Sequence, residues 1–224
     1  MTVKMLRRVS LIIVIICSIT WSVSAQVQVR YEPKHHQVFE NQYFRVLDVH
    51  VPPHDSTLYH IHSIASVVLI FSNDTTATQL KGQPWVRSVT HAGDVFYRDY
   101  GQDSIIHRVG NLGGVEYHVT DIELLSAYQP DKDRKPLPLT QLFASEKALA
   151  WRFTDSSLNK VVIRDRGPMI AGLVEGDDIL LHDTTHHKLI TIKAKKETYI
   201  ESGISFYLSA TSKKAISLVL FELK

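Results

Sequence analysis

The 224-residue chain has one cysteine, Cys17, and it lies in an N-terminal stretch that reads as a removable export signal. Without that stretch the chain can form no disulfide, no thiolate nucleophile and no thiolate metal site. Glycine and proline, at 10 and 8 residues, are too sparse for a collagen-like or low-complexity chain. Apolar runs are too short for a permanent membrane anchor. Charge of either sign is not in surplus: the formal net charge is +2, and three of the cations, Lys4, Arg7 and Arg8, precede residue 25. The remainder is close to neutral, which gives no basis for nucleic-acid binding. Phosphate-loop, Gly-x-Gly-x-x-Gly, Gly-x-Ser-x-Gly and His-Glu-x-x-His motifs are all missing. Phosphate-loop nucleotide chemistry, elbow-type serine hydrolysis and the commonest metalloprotease scheme therefore have no carrier.

The first 25 residues have the anatomy of a secretory signal. Lys4, Arg7 and Arg8 form a positive start, Leu11 to Cys17 a short apolar core, and Val23-Ser24-Ala25 a small-x-small cleavage site. Cleavage is expected after Ala25, with secretion or periplasmic export as the outcome. Stability must then come from a packed core, and the length left is enough for one large core or two small ones.

What is present is a succession of short β-rich runs broken by turn residues. Phe44 to Val51 is rich in β-branched and aromatic residues and stops at Pro52-Pro53. Ser66 to Phe71 ends at Ser72-Asn73-Asp74, and Val115 to Leu125 closes the first half. Gln129 to Pro138, with its prolines and mixed charges, reads as a solvated connector. Leu139 to Trp151 is the one segment with helical character. Strands then resume, among them Ile179 to His182, Phe206 to Ser209 and Ala215 to Leu223. Turn signals at this spacing predict an all-β sandwich or barrel. The endings Ile122-Glu123-Leu124-Leu125 and Phe221-Glu222-Leu223-Lys224, each preceded by a turn glycine (Gly101, Gly203), echo one another and predict a duplicated unit.

The chemistry-bearing feature is His60-Ile61-His62. Side chains at i and i+2 of a strand share a face, so both rings converge on one point. His107, in a later strand-like segment, is placed to complete a three-imidazole set for a divalent metal. The neighbouring pairs His35-His36 and His186-His187 face opposite ways on a strand and read as poor chelators. His50 and His118 read as strand histidines, and Tyr59, Tyr97 and Tyr100 as residues able to line a pocket mouth.

With those residues in view, the chain resembles the cupin superfamily. The family's first motif is Gly, five residues, His-x-His, three or four residues, Glu, six residues, Gly. Here it is met by His54, His60-Ile61-His62, Ser66 in the place of Glu, and Asn73. The second motif is Gly, five residues, Pro-x-Gly, two residues, His, three residues, Asn. Gly93, Asp99-Tyr100-Gly101, His107 and Asn111 follow it, with three extra residues before His107. In the second half Phe206 falls in the histidine place and no His-x-His pair appears. A shorter stretch, Ala171 to Leu180, is similar to the core of a PDZ domain, but no helix follows where that fold would need one.

The resemblance implies two antiparallel jelly-roll barrels joined by a short helix: an N-terminal barrel over 26–128, a connector and helix over 129–150, and a degenerate C-terminal barrel over 151–224. It implies a metal (Fe, Mn, Ni, Zn or Cu) on His60, His62 and His107, with Tyr59, Ser66, Tyr97 and Tyr100 about the pocket. Asp99, Asp103, Glu123 or a water could supply the oxygen ligand that Ser66 does not. The expected partners are a small organic molecule and a second copy in a homodimer, while the two barrels of one chain are expected to bury their sheet edges against each other. The expected activity is a metal-dependent oxygenase or isomerase reaction. The alternative is a non-enzymatic secreted binding or structural protein with a vestigial site.

Overall fold

The structure is a computed structural model that describes residues 26–129 and 134–224. The segment expected to be an export signal therefore lies outside the described residues, as does part of the connector. Among the described residues no helix is long and apolar enough to cross a membrane.

The chain is all-β and antiparallel. Among the described residues its first half has nine strands: β1 (His35–Glu40), β2 (Phe44–Val51), β3 (His60–His62), β4 (Ser66–Ile70), β5 (Asp74–Leu80), β6 (Val86–Thr90), β7 (Val95–Arg98), β8 (Ile105–Asn111) and β9 (Tyr117–Leu124). The second half has eight: β10 (Thr140–Ala144), β11 (Ala148–Thr154), β12 (Met169–Glu175), β13 (Ile179–Asp183), β14 (Lys188–Ile192), β15 (Glu197–Ile200), β16 (Phe206–Ala210) and β17 (Ser217–Leu223).

The halves repeat one topology. A five-stranded sheet in the order β1-β2-β9-β4-β7 is matched by β10-β11-β17-β12-β15. The smaller sheet β3-β8-β5-β6 is matched by β16-β13-β14, where an isolated bridge from Ile163 to Phe206 stands in for β3. Register agrees as well. Glu123 pairs with Arg45 and Ser66, and Glu222 with Leu149 and Met169. Even the irregularity recurs, between Gln37 and Phe39 in β1 and between Gln141 and Phe143 in β10. The echoed Glu-Leu endings are thus the same strand of a repeated unit.

Strand parity divides the core into layers. Trp151, Phe153, Met169, Leu181, Phe206 and Leu220 fill the interior between the large and small sheets of the second half. Leu47, Val49, Ile70 and Val119 do so more thinly in the first half. The residues of opposite parity, including Phe44, Val67, Leu69 and Phe71 from one half and Ala150, Ile170, Val219 and Phe221 from the other, form a third cluster where the two large sheets pack against each other. At Gly172 a Cβ would lie 2.4 Å from Leu69 Cδ2, so this close approach needs a residue without a side chain.

The expected helix over Leu139 to Trp151 is not there; the segment is the hairpin β10–β11. Ala, Leu, Glu and Lys give it high helix propensity, but tertiary pairing overrides that weak preference. The Ser145 hydroxyl accepts from the Ala148 N–H at 3.0 Å and closes the turn, and β11 then pairs along its whole length with β17. The second unit consequently begins at β10, inside the stretch read as connector and helix. Nor does the PDZ-like stretch form a separate module: Met169–Glu175 is a central strand of the large sheet.

Candidate metal centre

Three strands deliver histidines to one point inside the first half. His60 and His62 share a face of β3, and His107 of β8 is the direct cross-strand partner of His60. The residues inserted before His107 therefore do not slip its register. Ring centroids stand 4.7 Å apart for His60–His107 and 4.8 Å for His62–His107. A fourth ring comes from β1: His35 lies 4.7 Å from His60, centroid to centroid. All four line a pocket of about 80 Å³ together with Asp121, Tyr100, Thr57 and a wall of valines.

His35 is the residue that sequence reasoning missed. Adjacent histidines do face opposite ways, and His36 is indeed exposed, but this leaves His35 buried and pointing inwards. The side-chain nitrogens of His35, His60 and His62 converge, with one from each lying within 4.8 Å of the others. His107, expected as the third ligand, packs against this group without its nitrogens joining it, and both of them lack a hydrogen-bond partner.

The outer contacts fix which nitrogens face the centre. His35 Nδ1 is 2.6 Å from Glu32 Oε2, and His60 Nδ1 is 2.8 Å from the Leu58 carbonyl oxygen. His62 Nδ1 lies 3.5 Å from Asp121 Oδ2, short of a formed hydrogen bond, and neither atom has another partner. His60 Nε2 and His62 Nε2 face each other at 3.1 Å. Two nitrogens bound to one ion at about 2.1 Å would sit about 3.0 Å apart at a right angle and about 3.4 Å apart in a tetrahedron. The pair has the spacing that one ion requires.

Protonation is compatible with the same arrangement. Burial, then the charge of neighbouring histidines, pushes the imidazole of His62 far below its ordinary range and that of His107 down to about 3. Burial, then His35, brings His60 down to about 4. These rings are neutral. His60 gives its one N–H to Leu58, so its Nε2 carries a lone pair; if His62 Nε2 donates to it, His62 Nδ1 can only accept, from a protonated Asp121. An ion between the Nε2 atoms would instead let each Nδ1 keep its proton for an oxygen acceptor. The donor set of neutral imidazoles with outer carboxylates fits a divalent transition ion.

Burial raises the carboxyl of Asp121 to about 8, with the charge of Glu123 adding to it. Burial also opposes ionisation of Glu32, but hydrogen bonds from His35 and from the N–H groups of Leu58 and Lys34 hold its carboxyl at about 2.

The other expected residues divide. Tyr100 is buried on the pocket wall, its ring centroid 4.8 Å from that of His62. Ser66 is buried, its hydroxyl donating to the Ile64 carbonyl at 3.2 Å, and it does not line the pocket. Tyr97 points the other way, against Phe143 at the contact between the large sheets. Tyr59 sits outside, bonded to Gln79 and beneath Arg108. Of the expected oxygen donors, Glu123 is held by Arg45 at 2.6 Å, Asp99 by Lys147 at 2.8 Å, and Asp103 lies exposed beside Arg98. The carboxylate that does face the pocket is Asp121, one strand over from Ser66, a position that inward parity on β9 could have revealed.

A second group, Asp48, His50 and His118, lies on the opposite face of β2 and β9, where His50 and His118 stack at 4.2 Å. Its carboxylate is occupied: His118 Nε2 is 2.7 Å from Asp48 Oδ1, and Lys196 from the second half pairs with Oδ2.

No family model matches the sequence, and no curated protein does. Solved structures match over most of the chain. AerE from Microcystis aeruginosa is 12% identical with a TM-score of 0.60, covering 86% of this chain and 98% of its own. YlbA from E. coli is 8% identical with a TM-score of 0.60, covering 89% and 87%. A cupin 2 conserved barrel domain protein from Leptotrichia buccalis (8%, TM-score 0.55) covers 84% and 88%. A salicylate 1,2-dioxygenase from Pseudaminobacter salicylatoxidans (8%, TM-score 0.56) covers 81% and 71%.

Proposed function

From a chain that has the cupin fold, we propose an exported protein that holds one divalent metal ion on His35, His60 and His62 and presents it to a small organic molecule. The observation that carries this reading is the pair of buried Nε2 atoms at 3.1 Å, each ring having its Nδ1 directed at an outer oxygen. When bound, the ion would act as a Lewis acid or redox centre, which is the chemistry an oxygenase or isomerase reaction needs. The protein's own residues set the conditions. Glu32 fixes the ring of His35, the Leu58 carbonyl fixes His60, and Asp121 faces His62. Glu32, held ionised, also places negative charge near the ion, in a site whose usual carboxylate position is Ser66. His107 stays neutral beside the centre, with one nitrogen able to donate and the other to accept. Burial, then Asp121, pushes the phenol of Tyr100 up to about 12, so it remains a hydrogen-bond donor across the working range.

The test is metal content after reloading the mature protein with Fe, Mn, Ni, Zn and Cu in turn. We expect one ion per chain in wild type, none in His60→Ala/His62→Ala, a strongly reduced content in His35→Ala and a retained ion in His107→Phe. Loss of the ion in His107→Phe with retention in His35→Ala would restore the triad expected from the sequence. Substoichiometric loading of wild type with every metal would leave the binding-protein reading and remove the enzymatic one.

A further inference from the structure

Beside the histidine pocket runs a groove of about 710 Å³ that shares Phe96, Tyr100, His107, Val109 and Tyr117 with it. The groove thus leads from the surface to the centre. Most of its wall is apolar, from Ile70, Leu80, Val86 and Ile105, with a row of hydroxyls from Thr76, Thr78, Ser88 and Thr90 along β5 and β6. Its lining contains no acidic side chain and one arginine, Arg98.

Resting on the metal-binding reading above, we propose that this groove takes a monocarboxylic acid with an apolar body, its carboxylate held by Arg98. The guanidinium stands 5.3 Å from the centroid of the Tyr100 ring, and Tyr100 in turn packs on His62, so the cation is positioned along the route to the metal. Its protein partner is weak: Asp103 Oδ2 lies at 3.3 Å on a side chain with 81% of its surface exposed. An exposed pair of this kind contributes little and is readily exchanged for an incoming carboxylate. A planar guanidinium matches a carboxylate with two parallel hydrogen bonds, while the apolar walls accept the rest of the molecule.

The repeat supports the assignment independently. Arg98 pairs with Ser66 in the first half; the corresponding partner of Met169 in the second is Ile200, which lies in the packed core. The cation is absent from the same half that lacks the histidines, as expected if both serve one ligand.

The experiment is calorimetry on metal-loaded and metal-free mature protein with benzoate and hexanoate against benzamide and hexanamide, in wild type and Arg98→Gln. A charge-assisted pair predicts acids bound roughly tenfold or more tighter than their amides in wild type. That preference should vanish in Arg98→Gln, whose metal content is unchanged. Equal binding of acid and amide, or a preference that survives Arg98→Gln, overturns the proposal. If wild type takes up no metal, the reading of the histidines fails, yet the acid-over-amide comparison in metal-free protein still decides the role of Arg98.

Discussion

The same frame carries opposite interiors in the two halves. Where the first half has His60 paired with His107, the second has Ile163 bridged to Phe206. By the shared register, His35 corresponds to Leu139, Asp121 to Leu220 and Ser66 to Met169. All five replacements pack into the large cluster of the second half. The second half has filled its interior with side chains and leaves Trp151 Nε1 unpaired there, while the first clusters unpaired buried nitrogens and oxygens at His62, His107 and Asp121. Each such group costs about 1–3 kcal/mol when left unpaired. The difference is what the proposed occupant of the first interior calls for, and the duplicated fold sets those groups beside a second interior filled by apolar side chains.

Three perturbations break or sharpen that contrast. The largest is Phe206→Ala, which hollows the filled interior; a loss of about 3–5 kcal/mol is expected in urea unfolding. A cost near zero would mean that the second interior is not the solid one. Next is His107→Phe, which copies the filled interior into the open one. Metal-free protein should gain about 1–2 kcal/mol, since a ring with two unpaired nitrogens gives way to a hydrocarbon of similar breadth. A destabilised variant would show instead that His107 is satisfied in solution.

The smallest effect concerns the seam between the halves. Burial opposes the charged form of His50, but Glu116 and Asp48 outweigh it and raise its pKa. A raised folded pKa means that stability is fully present below the unfolded value of about 6.5 and lost as pH rises through the folded value. His50→Gln should therefore cost under about 1 kcal/mol at pH 6 and progressively less towards pH 8.5, followed by thermal unfolding. A cost that grows with pH would reverse the assigned charge.

Much of this was legible in the residues. Parity on β3 placed His60 and His62 together, the β-rich spacing gave the fold class, and the Glu-Leu endings disclosed the repeat. His35 was hidden by a correct rule applied to the wrong question: neighbouring histidines cannot both chelate, but one of them can. Tyr97 was misplaced because an aromatic residue near a motif carries no sign of which face it takes; the parity that sends Phe96 and Arg98 into the groove sends Tyr97 to the seam. The hairpin β10–β11 was obscured because its residues favour a helix locally, and only a distant partner, β17, decides otherwise.

The back-to-back contact of the two large sheets has a further consequence. Phe44, Val67, Leu69 and Phe71 are covered by residues of the second half, so a chain cut at the connector would present them to water as a broad adhesive patch. The half with the filled interior is in effect a permanently tethered subunit that covers its sibling's apolar face. The stoichiometry is then fixed by covalent linkage: every copy of the chain carries one open chamber and one closed one, at any concentration.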